Sequence, residues 1–193
     1  MTLRNIKSVQ KTLGLLLTVF SSTMLTPIVV ALIYQETTSL IFIASFLITG
    51  LFGLVLWLPA KKADTEIRLH EGFIIVASFW VVLALFGALP FFLLPELGLS
   101  LTNAIFESTS GLTTTGATIL TGLDELPRSL LFYRQQLQWL GGLGIVVLAV
   151  ALLPILGVGG MRLYRAESSS AIRESKFTPR QKETAKALAS IYL

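Results

Sequence analysis

NAIFESTSGLTTTGATILTG, residues 103–122, is too polar to face lipid and lies between segments too apolar to face anything else. The stretch predicts a short amphipathic helix that breaks at Gly111 and returns as an extended run, Thr113-Thr114-Thr115-Gly116-Ala117-Thr118. A helix of about ten residues rises roughly 15 Å, half of a hydrocarbon core about 30 Å thick. Such an element enters from one face of a membrane and stops near the middle. Non-helical backbone is tolerated at that depth only where it is buried in protein or lines a wet cavity, because an unsatisfied carbonyl in hydrocarbon costs several kcal/mol. A partly dehydrated cation is a partner such carbonyls can serve.

The surroundings support a membrane setting. Of the 193 residues, 53% are hydrophobic and 13% charged, far from the balance of an ordinary globular domain. Four runs carry no charge: Thr12–Gln35, Thr37–Ala60, Gly72–Pro95 and Gln135–Met161. Each exceeds the roughly 20 residues a spanning helix needs. The first is too long in its apolar part for a cleaved signal peptide, and no small-residue cleavage site follows it. With no cysteine, disulfides and thiolate metal sites drop out. The net charge of +4 is explained by its distribution. With the N-terminus inside, thirteen Lys and Arg residues fall on one side and only Arg128 and Arg134 on the other. That bias predicts a multi-pass protein with both termini cytoplasmic, and it makes nucleic acid a remote partner compared with membrane lipid.

In chain order, the first helix is expected over about Leu13–Tyr34, bent or rescued by neighbours at Pro27. The second covers about Ser39–Leu58, where Gly50 and Gly53 allow close packing and Trp57 anchors the inner end. Pro59–Glu71 is a charged cytoplasmic loop containing His70, the only histidine, which has no second ligand beside it to hold a metal. The third helix is expected over about Gly72–Leu94. Ser100 or Thr102 then caps the short helix, whose C-terminal end would direct partial negative charge at a cation. Asp124 and Glu125 follow on the outer surface, either concentrating cations or simply solvated. The fourth span, about Ser129–Leu156, begins with a polar half in which Gln135, Gln136 and Gln138 need partners. Gly141, Gly142 and Gly144 then let it approach a pore helix. Beyond Gly157 the chain is basic, and Thr178-Pro179-Arg180-Gln181 carries the signals of a new helix start.

The fold class that results is an all-α membrane protein of four transmembrane helices plus one re-entrant pore helix and filter loop. Potassium-selective filters replace an ion's water with backbone carbonyls. Glycine at 116 can take backbone angles that aim neighbouring carbonyls at one axis, and the carbonyls of Thr114, Thr115, Gly116 and Ala117 are the candidate metal ligands, for potassium. The alternative is a Ser/Thr/Gly-rich external loop. An enzyme is not indicated: there are no paired carboxylates, histidine cluster or nucleophile elbow, and Gly157-Val158-Gly159-Gly160 lacks the Lys and Ser of a phosphate loop. No cofactor is implied beyond the transported ion.

At Phe106–Thr118, at Gln138-Trp139-Leu140-Gly141-Gly142-Leu143-Gly144-Ile145 and at Thr178-Pro179-Arg180 the chain resembles the Trk/Ktr/HKT superfamily of potassium transporters, in its TrkH branch. The resemblance implies four pseudo-repeats, each helix, pore helix, filter and helix, around one pore, with two extra helices in front. It also implies potassium uptake across the bacterial inner membrane, a homodimer, and a cytosolic nucleotide-binding regulator, TrkA. On that pattern residues 1–71 are the two extra helices and a cytoplasmic loop, residues 72–161 the first repeat, and residues 162–193 a cytoplasmic linker and the start of the next repeat. Thr114–Ala117 then supply one quarter of the filter. Glycine at 116 matches the potassium form, whereas Ala117 and Thr118 depart from the tyrosine and second glycine of potassium channels. One filter run in 193 residues cannot close a fourfold ring. Either the chain is the N-terminal piece of a longer protein or copies assemble, and a non-conducting truncated fragment or assembly module is the alternative to transport.

Overall fold

The computed structural model describes residues 3–62 and 69–152, and every described element is helix, turn or loop. Seven α-helices follow one another: α1 Leu3–Thr23, α2 Leu25–Ile33, α3 Ser39–Ala60, α4 Leu69–Gly87, α5 Leu89–Leu93, α6 Leu101–Leu112 and α7 Arg128–Leu152. Two compact units divide the chain, residues 1–138 and 139–193. The first holds α1 to α6 and the beginning of α7. In the second, the described residues are the later part of α7, where Gly141, Gly142 and Gly144 lie; Gly157–Leu193, including Thr178–Gln181, is outside the described residues. The side chain of His70 and most of the loop before it are outside them too.

Among the described residues, three segments are long and apolar enough to cross a membrane: Ile6–Ile33, Ser39–Ala60 and Ile74–Leu93. Large apolar side chains such as Val19, Leu32, Leu40, Leu51, Val55 and Val81 are exposed along them, as expected of surfaces solvated by lipid. At 25 residues, α7 has the length of a fourth span, about 37 Å at 1.5 Å per residue.

The first span is two helices, not one, and proline is the cause. Pro27 has no N–H for the carbonyl of Thr23, four residues earlier. The helix breaks at Met24, and the released Thr23 carbonyl accepts from Gln136 Nε2 at 2.9 Å. The Thr26 hydroxyl donates to Gln136 Oε1 at 2.9 Å, so one glutamine amide serves both sides of the break. Pro90, which has no N–H for the carbonyl of Phe86, likewise interrupts the third span, which divides at Ala88 into α4 and α5. There Gly87 O accepts from Tyr133 Oη at 2.9 Å.

Packing within the first unit turns on small residues. A Cβ at Gly53 would lie 2.5 Å from Thr18 Oγ1, 2.8 Å from Thr18 N and 3.0 Å from Gly14 O. One at Gly14 would meet Trp57 N at 2.7 Å and Gly53 O at 2.8 Å. Thus α1 and α3 touch backbone to backbone. Gly53→Val is expected to destabilise the protein by about 1–3 kcal/mol, the usual cost of overpacking. Gly50→Ala is milder, because its Cβ meets only the Ser21 side chain, at 3.1 Å. Thermal unfolding of the detergent-solubilised variants measures the difference.

The turn between α2 and α3 holds the start of α7. The carboxylate of Glu36 accepts from Arg128 N at 2.6 Å, Ser129 N at 3.1 Å and Ser129 Oγ at 2.5 Å, capping a helix 92 residues further on. Partial burial raises the Glu36 pKa. The bonds from Ser129, Arg128 and Thr38 lower it more, leaving the carboxyl below its usual value. A depressed carboxylate contributes stability that is fully present above its unfolded pKa, about 4.3, and lost as pH falls through the lower folded value. The melting temperature is therefore expected to drop on acidification below about pH 4, and by less in Glu36→Gln.

Candidate filter loop

The short helix runs from Leu101 to Leu112 and is capped by Ser100, whose Oγ accepts from Asn103 N at 3.2 Å. Twelve residues rise about 18 Å, roughly half a bilayer. Gly111, expected to end it, is inside it. A Cβ there would meet Leu137 Cβ at 3.1 Å, so this glycine serves the close approach of α7. Gly87 is the matching contact on α4, where a Cβ would lie 2.6 Å from the buried Ser108 Oγ of α6.

The break comes at Thr114. Thr114 N donates to Gly111 O at 3.0 Å and Thr115 N to Ser110 O at 3.1 Å, the paired bonds of a Schellman cap. Such a cap places a left-handed residue at the position of Thr114, whose φ is +55°. Glycine is usual there, and a threonine stores backbone strain of the kind found at ligand clamps. Gly116 is left-handed as well, at φ +77°, with nothing among the described residues within 4 Å of an added Cβ. Conformation, not space, is what this glycine supplies.

The four candidate carbonyls are not equivalent. Among the described residues, those of Thr114, Thr115 and Gly116 accept no hydrogen bond. The Ala117 carbonyl instead accepts from Ser110 Oγ at 2.5 Å. Residues Thr113–Ile119 are all exposed, with Thr113 and Thr115 joined through their hydroxyls at 2.8 Å.

Behind the loop lies an ion pair that the reading of the sequence did not identify. Glu107 is completely buried and receives Arg134 Nε at 2.5 Å. Thr118 Oγ1 lies 3.0 Å from each of its oxygens, and Ile119 N donates to Oε2 at 3.2 Å. Arg134, counted from the sequence only as a charge on the outer side of the membrane, is nine-tenths buried and serves the carboxylate. Asp124 and Glu125 are exposed, as expected. Of the three glutamines, Gln136 is used at the Pro27 break and Gln135 is exposed.

Residues 38–193 match the TrkH family, described as a cation transport protein. The Trk system potassium uptake protein TrkH of Vibrio parahaemolyticus is 51% identical over 187 residues, covering 97% of this chain and 39% of that protein. Its namesake in Escherichia coli is 52% identical over 187 residues, with the same coverage of 97% and 39%. The Trk system potassium uptake protein TrkG of Escherichia coli is 40% identical over 192 residues, 100% of this chain and 40% of the other. The fold matches the crystal structure of the potassium transporter TrkH from Vibrio parahaemolyticus with a TM-score of 0.82 and 46% identity, over 97% of this chain and 36% of that one. The chain thus spans about two fifths of the length of the relatives it matches.

Proposed function

The chain belongs to the TrkH family of cation transport proteins, and from that premise we propose that it contributes one quarter of the selectivity filter of a potassium uptake pore. With three segments of spanning length, it is a multi-pass protein of the bacterial inner membrane. The observation that carries the transport reading is the loop after α6: two left-handed residues in three positions, with the carbonyls of Thr114, Thr115 and Gly116 left without donors among the described residues. Oxygens in that state, at the end of a helix half a bilayer long, fit a partly dehydrated potassium ion. Ala117 belongs to the same strand of filter, its carbonyl shared with Ser110.

In this reading residues 1–71 are the two helices in front, residues 72–161 are the first helix, pore helix, filter and helix repeat, and residues 162–193 lead into the next. The full-length protein works as a homodimer with both termini cytoplasmic and a nucleotide-binding regulator of the TrkA kind beneath it. Relatives named potassium uptake proteins support the choice of ion. The test is rubidium uptake by the full-length protein in cells lacking other potassium uptake systems. Uptake suppressed by potassium and little affected by equal sodium is expected; sodium competing equally, or no uptake, rejects the proposal.

A further inference from the structure

We propose that Glu107, balanced by Arg134, is the positioning residue of this filter quarter, and that its grip on Thr118 and Ile119 sets the preference between potassium and sodium. The inference rests on the transport reading above and adds to it the part that fixes the loop.

On α6, Glu107 and Ser110 are three residues apart and share one face of the helix. Ser110 Oγ holds the carbonyl of Ala117 at 2.5 Å. One turn earlier, Glu107 holds the next two residues through Thr118 Oγ1 and Ile119 N. Thr118 Oγ1 in turn accepts from Leu120 N at 3.1 Å. The limb of the loop that leaves the filter is therefore stapled to a single stripe of the pore helix, residue by residue.

Peptide planarity turns those staples into a direction for the carbonyls. In a trans peptide the N–H and the C=O of one unit point opposite ways. Ile119 N–H points at Glu107, so the Thr118 carbonyl faces away from the carboxylate. Thr115 N–H points at Ser110 O, so the Thr114 carbonyl faces away from the helix end. The staples at the two ends leave Thr115 and Gly116 between them with little slack. Selectivity in such filters depends on how many carbonyls surround the ion and on how freely they move. A loosened limb lets the oxygens close on the smaller sodium ion.

A carboxylate is the group this position requires. It accepts at both oxygens and offers no donor, matching the hydroxyl, amide and guanidinium aimed at it. A glutamine turns one oxygen into a donor facing donors. Arg134 neutralises a charge that complete burial makes expensive.

The experiment is rubidium uptake by the full-length protein, with potassium and sodium as competitors, in Glu107→Gln, Thr118→Val and Thr118→Ser. The first two variants are expected to lower the potassium-over-sodium preference about tenfold, equivalent to 1.4 kcal/mol between the two ions. Thr118→Ser, which keeps the hydroxyl, restores the preference lost in Thr118→Val. The ratio does not depend on how much protein reaches the membrane, so mere destabilisation does not move it. Should Glu107→Gln fail to accumulate, Thr118→Val decides alone. An unchanged ratio in Thr118→Val overturns the inference while leaving the transport reading intact; wild-type protein without potassium-competed uptake overturns the transport reading itself.

Discussion

Replacing Gly116 with aspartate abolishes rubidium uptake by the full-length protein while leaving its amount in the membrane unchanged. The two halves of that expectation have separate grounds. An added Cβ at Gly116 meets nothing within 4 Å, and the position is exposed, so no packed core is disturbed. The backbone is what suffers: φ of +77° is strained for any side chain, at about 1–3 kcal/mol. Relaxing that strain rotates the peptide units on either side and with them the carbonyls of Thr115 and Gly116. Aspartate adds a fixed charge beside the path, and Gly116→Ala isolates the backbone part with an intermediate loss. Gly116→Asn is the control, because asparagine tolerates the left-handed region better than other residues. Immunoblots of membrane fractions alongside the flux assay separate lost transport from lost protein.

The second large effect falls on Arg134. Arg134→Ala leaves the Glu107 carboxylate completely buried without its cation, and breaking a buried pair from one side costs about 3–5 kcal/mol. That is a large share of the 5–15 kcal/mol by which proteins are typically stable. The expected outcome is little folded protein, seen as loss of the monodisperse peak in size-exclusion chromatography of detergent extracts. Arg128→Ala, at an exposed position, leaves the peak in place. The double variant Glu107→Leu/Arg134→Leu removes both charges and loses less stability than the sum of the two single changes, the mark of direct coupling.

How much of this was legible in the sequence depends on the distance along the chain over which each feature is decided. The short helix, its Ser100 cap and the turn at the threonines are local, and the residues state them: Ser100 bonds three positions ahead, Thr115 five positions back. The breaks at Met24 and Ala88 are local too, written in Pro27 and Pro90. Gly111 misled because a glycine near a helix end reads as a stop signal. Only the presence of Leu137, 26 positions later, shows it to be a contact surface. The Glu36 cap on α7 joins residues 92 and 93 apart, and nothing near either end marks it.

The Glu107–Arg134 pair was within reach. Glu107 is the only acid between Glu96 and Asp124, and Arg134 is the only base from Ser129 to Met161. Lone ionisable groups in stretches that enter a membrane need a partner, and two of opposite sign in adjoining elements are candidates for each other. Counting Arg134 only by the side of the membrane it falls on hid that inference. The orientation of the Ala117 carbonyl, in contrast, depends on a single hydroxyl rotamer at Ser110, and no sequence pattern specifies it.

The central claim is that the threonine-glycine turn offers its peptide oxygens to a bare alkali ion, and crystals of the full-length protein grown in rubidium or thallium test it without any assay of transport. Anomalous density within coordination distance of the carbonyl oxygens of Thr114, Thr115 and Gly116 is the predicted result. Density confined to the surface carboxylates Asp124 and Glu125, with none beside those carbonyls, would contradict it.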